Sequence, residues 1–377
     1  MRAFALMCFL IFMLTCSQAS NAAGRGPATT RVSGEMPDVL ALAEGSRVKS
    51  PQDWPKRRAE LLELIQTYEY GHLPPAGGET SFVELVSHKT PGGVHRQYKV
   101  TCGPGGKVSF VLDLSVPKGE GKFPVIVRGD ACWSKTAPEV TEKLLARGYA
   151  LAEFNRCELA PDNSNRNAGL YLAYPDGDFG ALIAWAWGFH RCVDVLEKLN
   201  DIDSKKIAVL GLSRGGKASL LAGATDERIA LTLANQSGCG GAGSFKIQPD
   251  DCEKLVNILK SFPFWFTPKL HDYIGKEESL PLDQHFVKAL IAPRAVLTTE
   301  SFDVRWGNPY GTFQTHLAAK EVYRFLGAEP KIGIWFRSGK HEQNESDWLA
   351  MLAFADKVFA GKKSEIDFAP NPFKKAD

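Results

Sequence analysis

Ser213 is the residue whose surroundings most plainly announce chemistry. It stands in KKIAVLGLSRGGKASLLAG, residues 205–223, where an aliphatic and β-branched run ends in Gly211, Leu212, Ser213, Arg214 and Gly215 and helix-forming residues follow at once. This is the G-x-S-x-G pattern set between a strand and a helix. Glycines two before and two after the serine let the two elements approach closely around a sharp turn, so the hydroxyl is lifted above the sheet. The first amides of the helix then point at any charge that develops beside it, and the helix dipole has the right sign to favour an oxyanion.

A hydroxyl is a weak nucleophile near neutral pH and needs a base within hydrogen-bond reach. When a serine of this kind heads a helix, its acid and histidine follow it in chain order. His341 suits the base's place: it lies in RSGKHEQNESDW, after the run Lys331 to Phe336 and before an amphipathic stretch. His190 falls inside a predicted helix, and His271 and His285 fall in an insertion. An acid is expected after the run Ala295 to Thr299. Asp303 is preferred to Glu300 because it lies further out in the loop, where it would hold the imidazole's tautomer and stabilise the imidazolium.

The elements that must position these residues follow from hydrophobic pattern. Alternating segments around Ser81–Val86, His95–Val100 and Val108–Val116 predict an antiparallel start to a sheet. From Phe123 onward short apolar strands (123–127, 149–154, 206–210, 229–234, 295–299, 331–336) alternate with helical stretches (139–147, 180–199, 214–224, 312–326, 345–359). That is the signature of a mostly parallel sheet with helices on both faces, the α/β-hydrolase three-layer sandwich. An amphipathic helix is predicted over Trp54–Tyr70. With no repeat or low-complexity linker after residue 50, the expected organisation is a signal peptide over 1–23, a loose lead-in over 24–50, one domain over 51–365 and a tail over 366–377.

Composition narrows the class. The 377 residues are 44% hydrophobic and 23% charged, enough for one large core. Lys and Arg number 45 against 43 Asp and Glu, a net charge of +2 that gives no reason to expect nucleic acid or an anionic membrane as partner. Arg2, the apolar run Ala5–Leu14 and the small residues Ser17–Ala23 read as an export leader, cut after Ala19 or Ala22, so the expected location is secreted or periplasmic. A lipid anchor at Cys16 is the alternative processing. Removing the leader leaves Cys102, Cys132, Cys157, Cys192, Cys239 and Cys252, an even count that permits disulfides. Cys132 and Cys157, each just beyond a predicted core strand, form the first pair to test. No Cys or His spacing suggests zinc, and no cofactor is expected; a monomer is.

At these residues the chain resembles the glucuronoyl esterases, carbohydrate esterase family fifteen, especially bacterial members. The family's G-x-S-R-x-G-K motif is matched by Gly211, Ser213, Arg214, Gly216 and Lys217. GALIAWAWG (180–188), SGCGG (237–241), LPLDQHFVKALIAPR (280–294), the stretch from Asp303 through Trp306 to Pro309, and GKH ending at His341 match as well. The resemblance implies hydrolysis, without metal, of the ester joining 4-O-methyl-glucuronic acid on xylan to lignin alcohols. It implies that Arg214 helps stabilise the oxyanion and that Lys217, Trp306 and the residue at 236 belong with substrate binding. One position departs from the pattern: many members place the catalytic glutamate where this chain has Gln236, which can accept a hydrogen bond from a histidine but carries no charge. The charge would then have to come from Asp303. Two other readings accompany this one: an acetylxylan or other carbohydrate ester hydrolase of the same fold, and a carbohydrate-binding relative that has lost turnover.

Overall fold

The computed structural model describes residues 30–32 and 34–373. The expected leader, with Cys16, lies outside the described residues. The described residues up to Pro370 form one compact unit.

Eleven strands are present among the described residues: β1 (Thr30–Val32), β2 (Ser81–Thr90), β3 (Gly93–Cys102), β4 (Val108–Pro117), β5 (Phe123–Arg128), β6 (Ala150–Phe154), β7 (Ile202–Leu212), β8 (Leu231–Asn235), β9 (Ile247–Pro249), β10 (Ala295–Ser301) and β11 (Ile332–Arg337). Nine of them form one sheet in the order β11-β10-β8-β7-β5-β6-β4-β3-β2, while β1 pairs antiparallel with β9. The ladders from β6 through β5, β7, β8 and β10 to β11 are parallel, and β4 joins β6 antiparallel to extend the sheet into the β2–β4 meander.

The central strands are apolar on both faces, as a doubly covered parallel sheet requires. Along β5, Val125 and Val127 enter one core and Ile126 the other; Ala150 and Ala152 oppose Leu151 on β6, and Ile207 and Val209 oppose Ala208 and Leu210 on β7. The first face is covered by α1 (Trp54–Ile65), α4 (Ala181–Leu196), α5 (Arg214–Thr225), α7 (His285–Ile291) and α8 (Pro309–Phe325). The second is covered by α2 (Pro138–Ala146) and α9 (Glu345–Ala360), whose Leu144, Met351 and Phe354 pack on it. Two short helices, α3 (Leu170–Ala173) and α6 (Leu255–Ser261), lie in connections.

Both ends of the domain are tighter than their composition suggests. In the lead-in, Val39, Leu40 and Val48 are buried, and Arg57 Nε donates to Val39 O at 3.0 Å. At the other end Ile334 N donates to Phe368 O at 2.9 Å and Phe368 packs on Phe354, so part of the expected tail covers the exposed edge of β11. The helix expected through Tyr70 is α-helical only to Ile65 and continues to Tyr70 as a wider turn. No helix among the described residues is long and apolar enough to cross a membrane.

Ile126 is fully buried under α2 and α9. Ile126→Ala is expected to cost about 3 kcal/mol and to lower the calorimetric melting temperature by about 4 °C. Activity per folded molecule should be unchanged.

Candidate active site

Ser213 adopts φ 58° and ψ −120°, a strained conformation for a residue with a side chain, at the point where β7 gives way to α5. The flanking glycines are demanded by space. A Cβ on Gly211 would meet the Gly215 carbonyl at 2.1 Å, and one on Gly215 would meet Asp130 Oδ1 at 2.0 Å. Asp130 braces the turn from below: its carboxylate is fully buried, pairs with Arg156, and accepts from Leu212 N at 3.0 Å. From the side, Ser213 N donates to Asn235 O at 2.8 Å, tying the turn to the end of β8.

The next residue, Gln236, holds His341. Its own φ is 45°, another strained non-glycine position, and its amide N–H donates to Thr299 O at 2.8 Å. The side-chain Nε2 donates to Glu342 O at 2.8 Å, which turns Oε1 toward His341 Nδ1 at 3.1 Å. An amide oxygen only accepts, so Nδ1 must carry the proton. The Nε2 lone pair is thereby left free, the form a general base needs. Burial, reinforced by the positive charges of Lys217, Arg337 and Arg214, holds the imidazole below its ordinary value of 6.5 and keeps it neutral. Among the described residues Ser213 Oγ makes no hydrogen bond to His341; such bonds often tighten only when substrate binds. Their supports meet at the end of β8, where Asn235 takes the Ser213 amide and Gln236 takes the imidazole.

The loop carrying His341 is clamped from three sides. Arg337 donates to Asp347 Oδ2 at 2.8 Å and to the carbonyls of Ser338, Lys340 and Glu342. Ser301 Oγ donates to Gly339 O, and Asp303 Oδ2 accepts from Gly339 N at 2.6 Å. Asp303 is therefore committed to the backbone two residues before His341. It is not brought to the imidazole, and among the described residues no carboxylate forms an ion pair with His341. Glu300, the other candidate acid, points into the core, where burial raises its carboxyl to about 8 against the opposing charge of Lys288.

Arg214 sits beside the nucleophile with Nη1 on Asp162 Oδ2 at 2.6 Å and its guanidinium 4.9 Å from the Phe262 ring and 4.8 Å from the Trp265 ring. Trp265 Nε1 donates to the other oxygen of Asp162 at 2.8 Å. Lys217, one turn along α5, is 5% exposed and donates to Ser237 O. Burial lowers its ammonium from the ordinary value, opposed by the charge of Glu253. The Trp306 side chain in turn hydrogen-bonds Glu253, and Glu253 N donates to Trp306 O at 2.8 Å. Glu253 and Asp162 carry no motif in the sequence, and only the fold reveals them. Gln248 on β9, 1% exposed, has an Nε2 with no hydrogen-bond partner. On its other side His341 lines a cavity of about 650 Å³ shared with Leu212, Trp348 and Leu349.

A strained strand-to-helix turn at Ser213, a histidine loop after the last parallel strand, and this strand order are the arrangement of an α/β-hydrolase fold. Comparison with known proteins gives the family. The sequence model of the fungal glucuronyl esterases matches residues 100–327. Carbohydrate esterase MZ0003, from an unknown prokaryotic organism, is 32% identical, with 86% of this chain and 90% of that protein covered. The 4-O-methyl-glucuronoyl methylesterase of Hypocrea jecorina is 30% identical, with 92% and 75% covered. Among solved structures, the family 15 glucuronoyl esterase of Caldicellulosiruptor kristjansonii superposes with a TM-score of 0.80 at 32% identity, over 91% of this chain and 95% of that one. A Sporotrichum thermophile glucuronoyl esterase variant, solved with methyl 4-O-methyl-β-D-glucopyranuronate, gives 0.74 at 27% identity over 93% and 92%. The chain belongs to the glucuronoyl esterases, carbohydrate esterase family 15.

Substitutions at two positions separate the roles at the base. Gln236→Glu places a carboxylate on Nδ1, which favours the imidazolium and raises the His341 pKa. The neutral form is the active one, so activity falls as pH drops through that pKa. With His341 held below its ordinary value in the native protein, the acid limb of kcat/KM is expected to move up in the variant by about one pH unit or more, with a plateau on the order of tenfold higher. An unmoved limb would show that position 236 does not govern the base. At Asp303 an acceptor is needed rather than a charge: Asp303→Asn should stay within about threefold of native kcat, while Asp303→Ala should lose roughly five- to tenfold. Equal losses in both would return the charge to the mechanism.

Proposed function

We propose that this enzyme hydrolyses esters of 4-O-methyl-glucuronic acid, of the kind that join xylan to lignin alcohols, as a secreted or periplasmic protein. The observation that carries this reading is the buried Lys217, one helical turn from Ser213, with the charge of Glu253 near it and Trp306 hydrogen-bonded to Glu253. A linked ammonium, carboxylate and indole suit a ring bearing several hydroxyls; an acetyl group would give them nothing to bind. The names of the relatives, and the uronate ester bound in the Sporotrichum structure, support the same substrate class.

In the proposed reaction Ser213 Oγ attacks the uronoyl carbonyl and passes its proton to His341 Nε2. The oxyanion is met by the first amides of α5, which lack intrahelical partners, and by the Arg214 guanidinium, whose charge is strengthened by its dry aromatic surroundings. His341 then gives the proton to the departing alcohol. Water, activated by the same imidazole, attacks the acyl-enzyme and releases the uronic acid. Gln236 keeps the imidazole in the productive tautomer through both halves, and Asp303 acts as a positioning residue through Gly339. Gln236 therefore belongs behind the histidine in this scheme, and the sugar is left to Lys217, Glu253 and Trp306.

The experiment is a substrate panel of benzyl glucuronate, methyl glucuronate and an acetylated xylo-oligosaccharide. Turnover of the two uronates is expected to dominate, and Ser213→Ala should abolish it without altering the melting curve. Lys217→Ala should raise KM for the uronates by about tenfold or more while leaving any acetate hydrolysis unchanged. A preference for the acetylated substrate would overturn the assignment.

A further inference from the structure

The six cysteines described, Cys102, Cys132, Cys157, Cys192, Cys239 and Cys252, are all unbridged. Four are buried; Cys132 and Cys157 alone are half-exposed. Those two belong to loops that leave the neighbouring parallel strands β5 and β6 and are laced together at their bases. Asp130 and Asn155 form an antiparallel bridge, Ala131 N donates to Phe154 O at 3.3 Å, and Arg156 N donates to Gly129 O at 3.2 Å. The lacing brings the two thiols into hydrogen-bonding contact. Next to Cys157, the Arg156 guanidinium pairs with Asp130 and lies 4.3 Å from the ring of Trp133, the neighbour of Cys132. Trp133 is 46% exposed, with Arg214 5.3 Å from its ring, while Arg156 is fully buried against it.

We infer that Cys132 and Cys157 form a redox-active dithiol that closes to a disulfide in the presence of a small-molecule disulfide such as oxidised glutathione, stapling the Trp133 loop to the Arg156 loop beside the catalytic cleft. Cys157 is the attacking sulfur. Its hydrogen bond with Cys132 and the nearby Arg156 charge bring its thiol down to about 7, whereas burial raises the thiols of Cys102, Cys192, Cys239 and Cys252. The Cys157 thiolate displaces one thiolate from the oxidant and forms a mixed disulfide. Cys132 then loses its proton, attacks the Cys157 sulfur and expels the second thiol. The protein gives up two protons and two electrons, and the oxidant is reduced to two thiols.

The test uses the full enzyme, first reduced with dithiothreitol and desalted, then exposed to oxidised glutathione, denatured and alkylated. Two fewer alkylatable thiols than in the reduced sample are expected, with no retained glutathione and with Cys132 and Cys157 linked in the peptide map. The melting temperature should rise by about 4 °C. In Cys132→Ser a glutathione adduct should persist on Cys157, and in Cys157→Ser no adduct should form; neither variant should show the rise in melting temperature. An unchanged thiol count in the native enzyme, a stable adduct on its Cys157, or a link to any other cysteine would overturn the inference.

Discussion

The site depends on two consecutive residues at the end of β8. Asn235 accepts the Ser213 amide through its carbonyl, and Gln236 takes a backbone bond from β10 while its side chain spans Glu342 and His341. Nucleophile and base come from distant parts of the chain, and this short segment is where their supports meet. The segment is strained at Gln236, as the nucleophile is at Ser213. Strain of about 1–3 kcal/mol at each can persist because the surrounding hydrogen bonds leave no relaxed alternative.

Glutamine at this hub shapes the electrostatics of the whole cleft. A carboxylate there would stabilise the imidazolium directly. The neutral amide fixes the tautomer by geometry alone, since one of its ends must donate to Glu342 O. His341 is then left among the positive charges of Lys217, Arg337 and Arg214, which together with burial favour the neutral ring. The chain keeps the orienting half of the usual acid's work at position 236, and Asp303 contributes by holding the loop at Gly339.

The parts of the structure beneath the cleft answer the same need for rigidity. Asp130 under the serine turn, Asp347 under the histidine loop and Asp162 beside Arg214 are buried or nearly so, and each receives an arginine. Such pairs contribute little net stability, because desolvation offsets much of their attraction. What they do provide is direction: each arginine also contacts backbone carbonyls or aromatic faces that define one loop conformation.

The alternation of short aliphatic runs with helical stretches specified the three-layer architecture because both the period and the two-faced burial of a parallel sheet are local in sequence. The serine turn was legible for a similar reason: Gly211, Ser213 and Gly215 satisfy steric demands that arise within five residues. The loop after the last strand, which carries His341, could be placed from chain order alone. The partner of the His341 Nδ1 could not, because Gln236 and Asp303 follow strands adjacent in the sheet and both are within topological reach of the histidine loop. Choosing between them required knowing that the Asp303 carboxylate meets Gly339 N and that Glu342 O turns the Gln236 amide. Glu253 was hidden in the same way, since only the docking of the Trp306 loop carries it to Lys217. Residue types and their order determined which chemistry this chain can perform; the directions of a few side-chain hydrogen bonds, fixed only when remote loops pack, decided which groups are held beside one another.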